Sequence, residues 1–275
     1  MSSYAITGAS RGIGWEFLRQ ISADANNTII AIVRNKPGTE KRLAEEFPER
    51  KNIHVVQGDL NDYASLESAA AETAKITGGG LDYLIANAAL LLPYDAFDSI
   101  DQLLIQDRPG FESYLNEMYR TNVIGNIYLF HLFTPLVIKG TVKKVIHISS
   151  GHADTNWITK LPILVASGYA LAKAATNIVT AKYAAEYGKG KEGVLFINIC
   201  PGFTDTGNLG EFTQEQLTKM APMIEAFQKH APPTFTGPRA VEDSVRDVLS
   251  VIDRSTVEKD GGVFISHRGD QQWLS

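Results

Sequence analysis

The 275-residue sequence contains a single cysteine, Cys200, which excludes a disulfide within the chain and suits a reducing compartment. Basic residues are outnumbered: 26 Lys and Arg against 31 Asp and Glu give a net charge of −5, which argues against nucleic acid as the main partner. No uninterrupted apolar run approaches the roughly 20 residues of a membrane-spanning helix, and no signal peptide is recognisable. We therefore expect a cytoplasmic protein that binds neither membranes nor nucleic acid.

Metal-binding patterns are also missing. The six histidines show no spacing typical of metal ligands, so we expect no metal site. Only His152, two residues after Ser150, is placed to line a substrate pocket. Cys200 ends a strand-like apolar run and is interpreted as a small buried residue rather than a nucleophile.

Short β-branched or apolar runs alternate with helix-like sequence along the whole chain. These runs occupy residues 4–7, 28–33, 53–57, 81–86, 144–148, 194–200 and 262–266. Strands that alternate with helices form a parallel sheet covered on both faces, so the pattern predicts an α/β fold. A long helical stretch is predicted at about 111–137. No linker, low-complexity segment or repeat divides the chain, and we expect one domain over residues 1–275.

A glycine-rich turn follows the first predicted strand. Its sequence is Thr7-Gly8-Ala9-Ser10-Arg11-Gly12-Ile13-Gly14. Glycines in such a turn let the backbone approach a pyrophosphate, while the N-terminus of the next helix faces the anion. A turn without a ligand is the alternative, but the position between a strand and a helix favours dinucleotide binding.

The end of the second predicted strand bears on the choice of cofactor. NAD sites place Asp or Glu about 20 residues beyond the glycines, where it binds the ribose hydroxyls. This chain has Arg34 at that position, and Arg11 lies within the glycine turn. Two guanidinium groups suit a ribose 2′-phosphate, which favours NADP(H) over NAD(H), unless both are ordinary surface arginines.

Three later strand ends also carry candidate cofactor contacts. Asp59-Leu60 follows the third strand, where Asp59 can accept from the adenine amino group or cap the next helix. Asn87-Ala88-Ala89 follows the fourth, where small residues admit a cofactor and the asparagine can hold neighbouring backbone. The sixth is followed by Pro201-Gly202-Phe203-Thr204-Asp205-Thr206. This turn can set backbone groups against the nicotinamide carboxamide, with Thr206 near the pyrophosphate.

Tyr169 and Lys173 carry the predicted chemistry. Residues four apart share a helix face, about 6 Å apart along the axis, so an ammonium there can stabilise a phenolate by roughly 1.36 kcal/mol per unit of pKa shift. The pair alone also fits a core aromatic beside a solvated lysine. The hydroxyls of Ser149 and Ser150, at the end of the fifth strand, can donate to a substrate carbonyl. Asn122, inside the long helix, is placed to hold a water for Lys173.

Taken in order, these motifs resemble those of the short-chain dehydrogenase/reductase superfamily, in its single-domain branch, from residue 4 to about 206. The resemblance implies a Rossmann-like, doubly wound, seven-stranded parallel sheet in a three-layer α/β/α sandwich, with three helices on each face. It implies Tyr169 as general acid/base, Ser150 as carbonyl anchor, Lys173 as ribose-binding and pKa-lowering cation, and Asn122 as holder of a water relay. The expected cofactor contacts are Gly8, Ser10, Arg11, Gly12, Ile13, Gly14, Arg34, Asp59, Leu60, Asn87, Ala88, Tyr169, Lys173, Pro201, Gly202, Thr204 and Thr206.

The family usually has Asn-Ala-Gly where this chain has Asn87-Ala88-Ala89, a mild departure that still admits a cofactor. Two further stretches bear on substrate. The 19 positions from Ser150 to Tyr169 exceed the family norm, and the extra sequence within 152–167 suggests a substrate-specific wall. Apolar residues within about 207–236 suggest a substrate lid; they include Phe212, Leu217, Met220, Met223, Ile224 and Phe227.

The resemblance therefore implies an NADPH-dependent carbonyl reductase or ketoreductase acting on a small ketone or aldehyde, as a homodimer or homotetramer. An NAD(P)-dependent alcohol dehydrogenase that works oxidatively uses the same residues. A non-redox lyase, cyclase or sensor on the same scaffold is a further alternative.

Overall fold

Seven parallel strands form one sheet in the computed structural model, which describes residues 1–207, 213–231, 235 and 237–274. The strands are β1 Ser3–Thr7, β2 Thr28–Val33, β3 Ile53–Gln57, β4 Tyr83–Ala86, β5 Lys144–Ile148, β6 Leu195–Cys200 and β7 Phe264–Ser266. Their order in the sheet is β3-β2-β1-β4-β5-β6-β7, and every adjacent pair is parallel. The predicted doubly wound sheet is confirmed. The chain reverses its direction of progress between β1 and β4, which is where such sheets bind ligands.

Helices cover both faces of the sheet. Their bounds are α1 Gly12–Ile21, α2 Lys36–Glu46, α3 Tyr63–Thr77, α4 Ile100–Tyr119, α5 Gly125–Ile138, α6 Thr155–Lys160, α7 Ser167–Tyr187, α8 Gln214–His230, α9 Val241–Arg254 and α10 Val257–Asp260. Helices α1, α2 and α9 pack on one face, and α3, α5 and α7 pack on the other. Because both faces are covered, the strands are almost continuously apolar and β6 is buried at every position.

The fourth strand begins two residues later than predicted. Asp82 explains this, because its carboxylate accepts hydrogen bonds from the backbone N–H groups of Ser3, Thr141 and Val142. The residue therefore closes a turn instead of extending the strand.

The predicted long helix also differs in detail. It begins at Ile100, breaks its helical geometry at Asp107 just before Pro109, and passes through a π-helical turn, Arg120–Ile124, into α5. By length and hydropathy the stretch Ile100–Ile138 is apolar enough to cross a membrane. Half of its most apolar window is buried inside the protein, as in a core helix, and α5 contributes Leu129, Phe130 and Phe133 to the core.

A smaller apolar cluster lies outside the sheet, where three separate segments meet. Leu161 and Ile163 from the insert pack with Leu274 near the chain end, and Met223 and Phe227 of α8 lie against them. The predicted wall and part of the predicted lid thus share one cluster. In α8, Leu217 and Ile224 are exposed, and Phe212 lies outside the described residues.

Candidate active site

The glycine turn closes tightly at the switch point of the sheet. Gly8 and Gly12 adopt left-handed backbone conformations, with φ of 68° and 55°. A Cβ at Gly14 would lie 2.3 Å from the Gly8 oxygen and 2.5 Å from Nδ2 of Asn87, so only glycine fits there. The helix α1 therefore starts in close contact with the ends of β1 and β4. This is the cradle that a pyrophosphate needs at a helix N-terminus.

Thr7 and Asn87 join the ends of β1 and β4. The Asn87 side chain donates to the Thr7 carbonyl oxygen at 3.0 Å, and the Thr7 hydroxyl accepts from the backbone N–H groups of Asn87 and Ala88. Asn87 thus holds neighbouring backbone, and Ala88 packs against Gly8. The role of Thr7 was missed, because nothing in the sequence reveals that its hydroxyl faces a strand 80 residues away.

Exposed cations line the other side of the turn. Arg11 and Arg34 are both exposed, and Ser10, which directly precedes Arg11, is partly buried. Arg42, which the sequence analysis did not single out, donates to the Ser10 carbonyl oxygen at 3.0 Å and lies 3.8 Å over the Trp15 ring. Ile13 points instead into the core beside the sheet. The turn therefore presents positive charge where a ribose phosphate would lie.

Asp59 at the end of β3 does not cap the following helix. Asp62 caps α3 by accepting from the N–H of Ser65 at 3.2 Å, whereas Asp59 accepts from the N–H of Asn61 at 3.0 Å. The capping alternative considered for Asp59 is wrong. Leu60 is buried and packs against Gly125, at the start of α5, rather than facing the turn.

The loop after β6 folds back towards the glycine turn. Gly202 takes a left-handed conformation, with φ of 83°, and the Pro201 carbonyl oxygen accepts from the Ser244 hydroxyl at 2.7 Å. The Thr204 hydroxyl also contacts Ser244, at 3.0 Å, so it stabilises the loop. Thr206 reaches the turn, where a Cβ at Gly12 would meet it at 3.8 Å. The loop thus lies beside the space expected for the nicotinamide and pyrophosphate.

Tyr169 and Lys173 lie on α7, beside the end of β5. Nζ of Lys173 lies 5.6 Å from the centroid of the Tyr169 ring and donates to the Ile148 carbonyl oxygen at 2.6 Å. Burial raises the pKa of the Tyr169 phenol, nearby Cys200 adds to this, and a hydrogen bond with Ser150 opposes it. In this geometry Lys173 is held by backbone and does not lower the pKa of the Tyr169 phenol as predicted; that pKa is raised instead. Burial also lowers the pKa of Lys173 to about 8.

The two serines at the end of β5 point in different directions. Ser149 is buried and its hydroxyl donates to Oδ1 of Asn177, on α7, at 2.7 Å. Ser150 is partly exposed, and its hydroxyl contacts Tyr169 and accepts from the N–H of His152 at 3.3 Å. The geometry therefore brings Ser150, rather than Ser149, to the phenol.

Asn122 lies in the π-helical turn and holds the strand end after β4. Its side chain forms two hydrogen bonds with the backbone of Leu90, at 2.7 and 2.9 Å. Its carbonyl oxygen accepts from Asn126 at 2.7 Å and from the Thr176 hydroxyl at 2.9 Å. The side chain is therefore occupied by backbone contacts, and the carbonyl faces α7 three residues beyond Lys173.

A buried carboxylate that the sequence analysis missed anchors α7. Asp95 is fully buried, and its oxygens accept from the Tyr114 hydroxyl and the N–H of Gly168, each at 2.7 Å. Its carbonyl oxygen accepts from the N–H of Ala166, a non-glycine residue with φ of 57°. Asp95 thus fixes the first turn of the helix that carries Tyr169.

Cys200 lies close to this group without the properties of a nucleophile. Its sulfur accepts from the N–H of Gly151 at 3.1 Å, and burial raises its thiol pKa to about 11. A shallow surface depression lined by Arg50, Lys51 and Asn52 lies at the opposite edge of the sheet and has no part in this site.

A dinucleotide fits the residues at this edge of the sheet. Gly14 lets α1 begin close to the Gly8 backbone and Asn87, which a Cβ would strike. A Cβ at Gly12 would have only Thr206 within 4 Å among the described residues, so this side of the turn is open. The exposed arginines supply charge at one end, and Tyr169 with Ser150 supplies polar groups at the other. When bound, such a cofactor supplies a hydride.

Comparison with known proteins agrees with this fold. Among solved structures, the chain resembles the NADPH-bound carbonyl reductase from chicken fatty liver, with a TM-score of 0.76, 23% identity and 98% of each chain covered. The KRED1-Pglu enzyme gives a TM-score of 0.73 at 22% identity, covering 96% of this chain and all of the other. At these identities the likeness shows the fold.

Sequence comparison goes further. The short chain dehydrogenase virK of Hypocrea virens is 46% identical over 275 residues, and the short-chain dehydrogenase/reductase iacC of Pestalotiopsis fici is 44% identical over 276, each covering 100% of both chains. The family model for short chain dehydrogenases matches residues 3–217. With most of its length matched, the chain belongs to the short chain dehydrogenase family and is an oxidoreductase.

Proposed function

We propose that the protein is an NADPH-dependent carbonyl reductase that transfers a hydride to a ketone or aldehyde. The observation that carries the proposal is the contact between the Ser150 hydroxyl and the Tyr169 phenol, with Lys173 on the same face of α7. These groups converge at the strand ends where the glycine turn also lies.

Ser150, Tyr169 and Lys173 each have a separate role in the proposed reaction. Ser150 donates a hydrogen bond to the substrate oxygen and holds it beside Tyr169. As the carbonyl carbon gains hydride, the phenol O–H bond breaks and its proton moves to that oxygen, which completes the alcohol. The Lys173 ammonium stabilises the phenolate left behind, and solvent restores its proton.

The proposed direction is reduction. Burial raises the pKa of Tyr169, so the phenol holds the proton that a nascent alkoxide needs at neutral pH. Oxidation of an alcohol requires the phenolate as base, which the same burial disfavours. A non-redox role gives no account of why Ser150, Tyr169 and Lys173 lie together.

Charge at the glycine turn supports NADP(H) as the cofactor. Arg34 occupies the position where NAD sites carry a carboxylate, and both Arg34 and Arg11 are exposed to a ligand. A solved relative in fold is described as a carbonyl reductase with NADPH bound. We retain NAD(H) as the less favoured cofactor.

We also propose that the protein assembles as a homodimer or homotetramer. Helices α4 and α7 expose Ile105, Tyr119, Leu171 and Ile178, which suits burial against a second copy. Light scattering of the purified protein measures its mass directly.

The test is a comparison of wild-type protein with Tyr169→Phe. NADPH consumption is measured across a panel of ketones, aldehydes and quinones, and NADPH binding is measured separately. We expect Tyr169→Phe to lose roughly 10²- to 10⁴-fold in kcat/KM and to keep NADPH binding. Normal rates in the variant contradict the assignment of Tyr169, and no NADPH consumption with any carbonyl by wild type contradicts the proposed function.

A further inference from the structure

His152 is the polar side chain next to the reacting groups that the mechanism leaves unused. Its backbone N–H donates to the Ser150 hydroxyl, and its ring stands edge-on to the Tyr169 ring, with centroids 6.4 Å apart and planes at 69°. Nδ1 is buried and has no hydrogen-bond partner among the described residues. A buried polar atom without a partner is unfavourable, so this atom points to a ligand that satisfies it.

The uncharged imidazole of His152 is suited to binding an uncharged polar group. Burial lowers the pKa of His152 to about 4, so the ring is uncharged near neutral pH. A neutral imidazole has one N–H donor and one acceptor nitrogen, and can bind either a hydroxyl or a carbonyl oxygen.

A row of aromatic rings continues from His152 away from Tyr169. Trp157 lies 5.5 Å from the His152 ring, and Phe227 of α8 lies 5.9 Å beyond Trp157. Phe235 and Phe203 extend the row at 6.3 Å intervals. Rings at these separations offer an extended apolar wall, and flat rings pack well on such a wall.

We propose that His152 binds a second oxygen of the substrate, close to the carbonyl that is reduced. The substrate class is a flat, ring-fused ketone with a hydroxyl or a second carbonyl beside the reacting one. The reacting oxygen lies between Ser150 and Tyr169, the second oxygen meets the imidazole, and the rings lie along Trp157 and Phe227. This inference rests on the proposed function and adds to it the substrate that the site selects.

The experiment uses two ketones that differ by one hydroxyl. 1-Tetralone has a single oxygen, whereas 8-hydroxy-1-tetralone carries a hydroxyl beside the carbonyl. With NADPH saturating, kcat and KM are measured for both ketones with wild type, His152→Phe and His152→Gln. Phenylalanine keeps a flat ring without nitrogen, and glutamine keeps a donor and an acceptor.

We expect wild type to prefer the hydroxylated ketone and His152→Phe to lose that preference. The loss should be about ten-fold in kcat/KM, mostly through KM, and confined to the hydroxylated ketone. His152→Gln should recover part of it. As a matched control, Trp157→Leu shortens the apolar wall and should lower kcat/KM for both ketones by a similar factor.

Two results overturn the inference while leaving the proposed function intact. One is an equal effect of His152→Phe on the two ketones, which means that the ring only fills space. The other is the absence of any preference in wild-type protein that does reduce 1-tetralone. If the wild-type protein reduces neither ketone and no carbonyl of the wider panel, the proposed function itself is wrong.

Discussion

The carboxylate of Asp95 accepts a hydrogen bond of 2.7 Å from the backbone N–H of Gly168, across 73 residues of sequence. Gly168 precedes Tyr169, and a Cβ at Gly168 would lie 2.5 Å from the Tyr114 ring. Tyr114 in turn donates to the other oxygen of Asp95. A fully buried carboxylate therefore fixes where Tyr169 enters the candidate site.

Asp95→Ala should harm both stability and catalysis. The change leaves the Gly168 N–H and the Tyr114 hydroxyl unpaired, and hydrogen bonds to a charged group contribute about 1.5–3 kcal/mol each. The free energy of unfolding and kcat/KM are measured for Asp95→Ala and for Tyr114→Phe. Because Tyr114→Phe removes only one donor, it should lower both quantities less. A kcat lowered with KM unchanged indicates a misplaced Tyr169. Wild-type stability for Asp95→Ala contradicts this role.

Gly14→Ala should weaken NADPH binding by roughly 5- to 150-fold. Its new Cβ would lie 2.3 Å from the Gly8 oxygen, so the turn must open, and overpacking of this kind costs about 1–3 kcal/mol. Isothermal titration with NADPH measures the loss. Gly79→Ala is the control: at φ of 98° with open space around it, it should cost about 1–2 kcal/mol of stability and leave NADPH binding unchanged. Equal NADPH binding by both variants refutes the tight turn.

The sequence was sufficient to predict the sheet and the glycine turn, because both depend on local pattern. Buried strands are continuous apolar runs, and Gly8, Gly12 and Gly14 stand where backbone must turn or approach closely. Family resemblance added the placement of Ser150 and Tyr169 at neighbouring strand and helix ends. The sequence analysis named Ser150 as the carbonyl anchor, and the structure brings the hydroxyl of Ser150, rather than that of Ser149, to the phenol.

The supporting contacts were not predictable, since each depends on a partner distant in sequence. Asp95 lies in a short irregular segment and looks like any surface aspartate until Gly168 is placed beside it. Arg42 looks like a helix-surface residue, and its contact with Ser10 requires the packing of α2 against the turn. The side chain of Asn122 is aimed by a π-helical turn, which periodicity does not reveal.

Trp273 and Asp154 should be energetically coupled. The indole N–H of Trp273 donates to the Asp154 carboxylate at 2.7 Å, and Trp273 packs against Gly151 beside Ser150. Trp273→Phe keeps the stack on Phe264 but loses this donor. A double-mutant cycle with Asp154→Asn should give a coupling of about 0.5–3 kcal/mol in unfolding, and each variant should raise KM for the ketone with NADPH binding unchanged. Strictly additive effects disprove the coupling.

Because of Lys173, the free energy of unfolding should rise between pH 8 and pH 9. Burial lowers its pKa to about 8 from 10.5, so above pH 8 the unfolded chain binds more protons and the free energy of unfolding rises with pH. Cys200 acts oppositely, but only above pH 9, because its pKa rises from 9.0 to about 11. Urea unfolding at pH 7, 8 and 9 should show wild type gaining stability relative to Lys173→Met. Parallel pH curves for the two proteins contradict the buried ammonium.

Arg34→Asp should reverse the preference for the phosphorylated cofactor. The change removes a cation at the end of β2 and supplies the carboxylate that binds ribose hydroxyls in NAD sites. One charge-assisted hydrogen bond contributes about 1.5–3 kcal/mol, so the ratio of kcat/KM for NADPH over NADH should fall by roughly 10- to 100-fold. Arg42→Ala is the matched control, because Arg42 is held by Glu46 and Trp15 and supports the turn from behind. Arg42→Ala should weaken the binding of NADPH and NADH similarly and leave the ratio of their kcat/KM values unchanged. If that ratio is also unaltered in Arg34→Asp, no 2′-phosphate binds at Arg34.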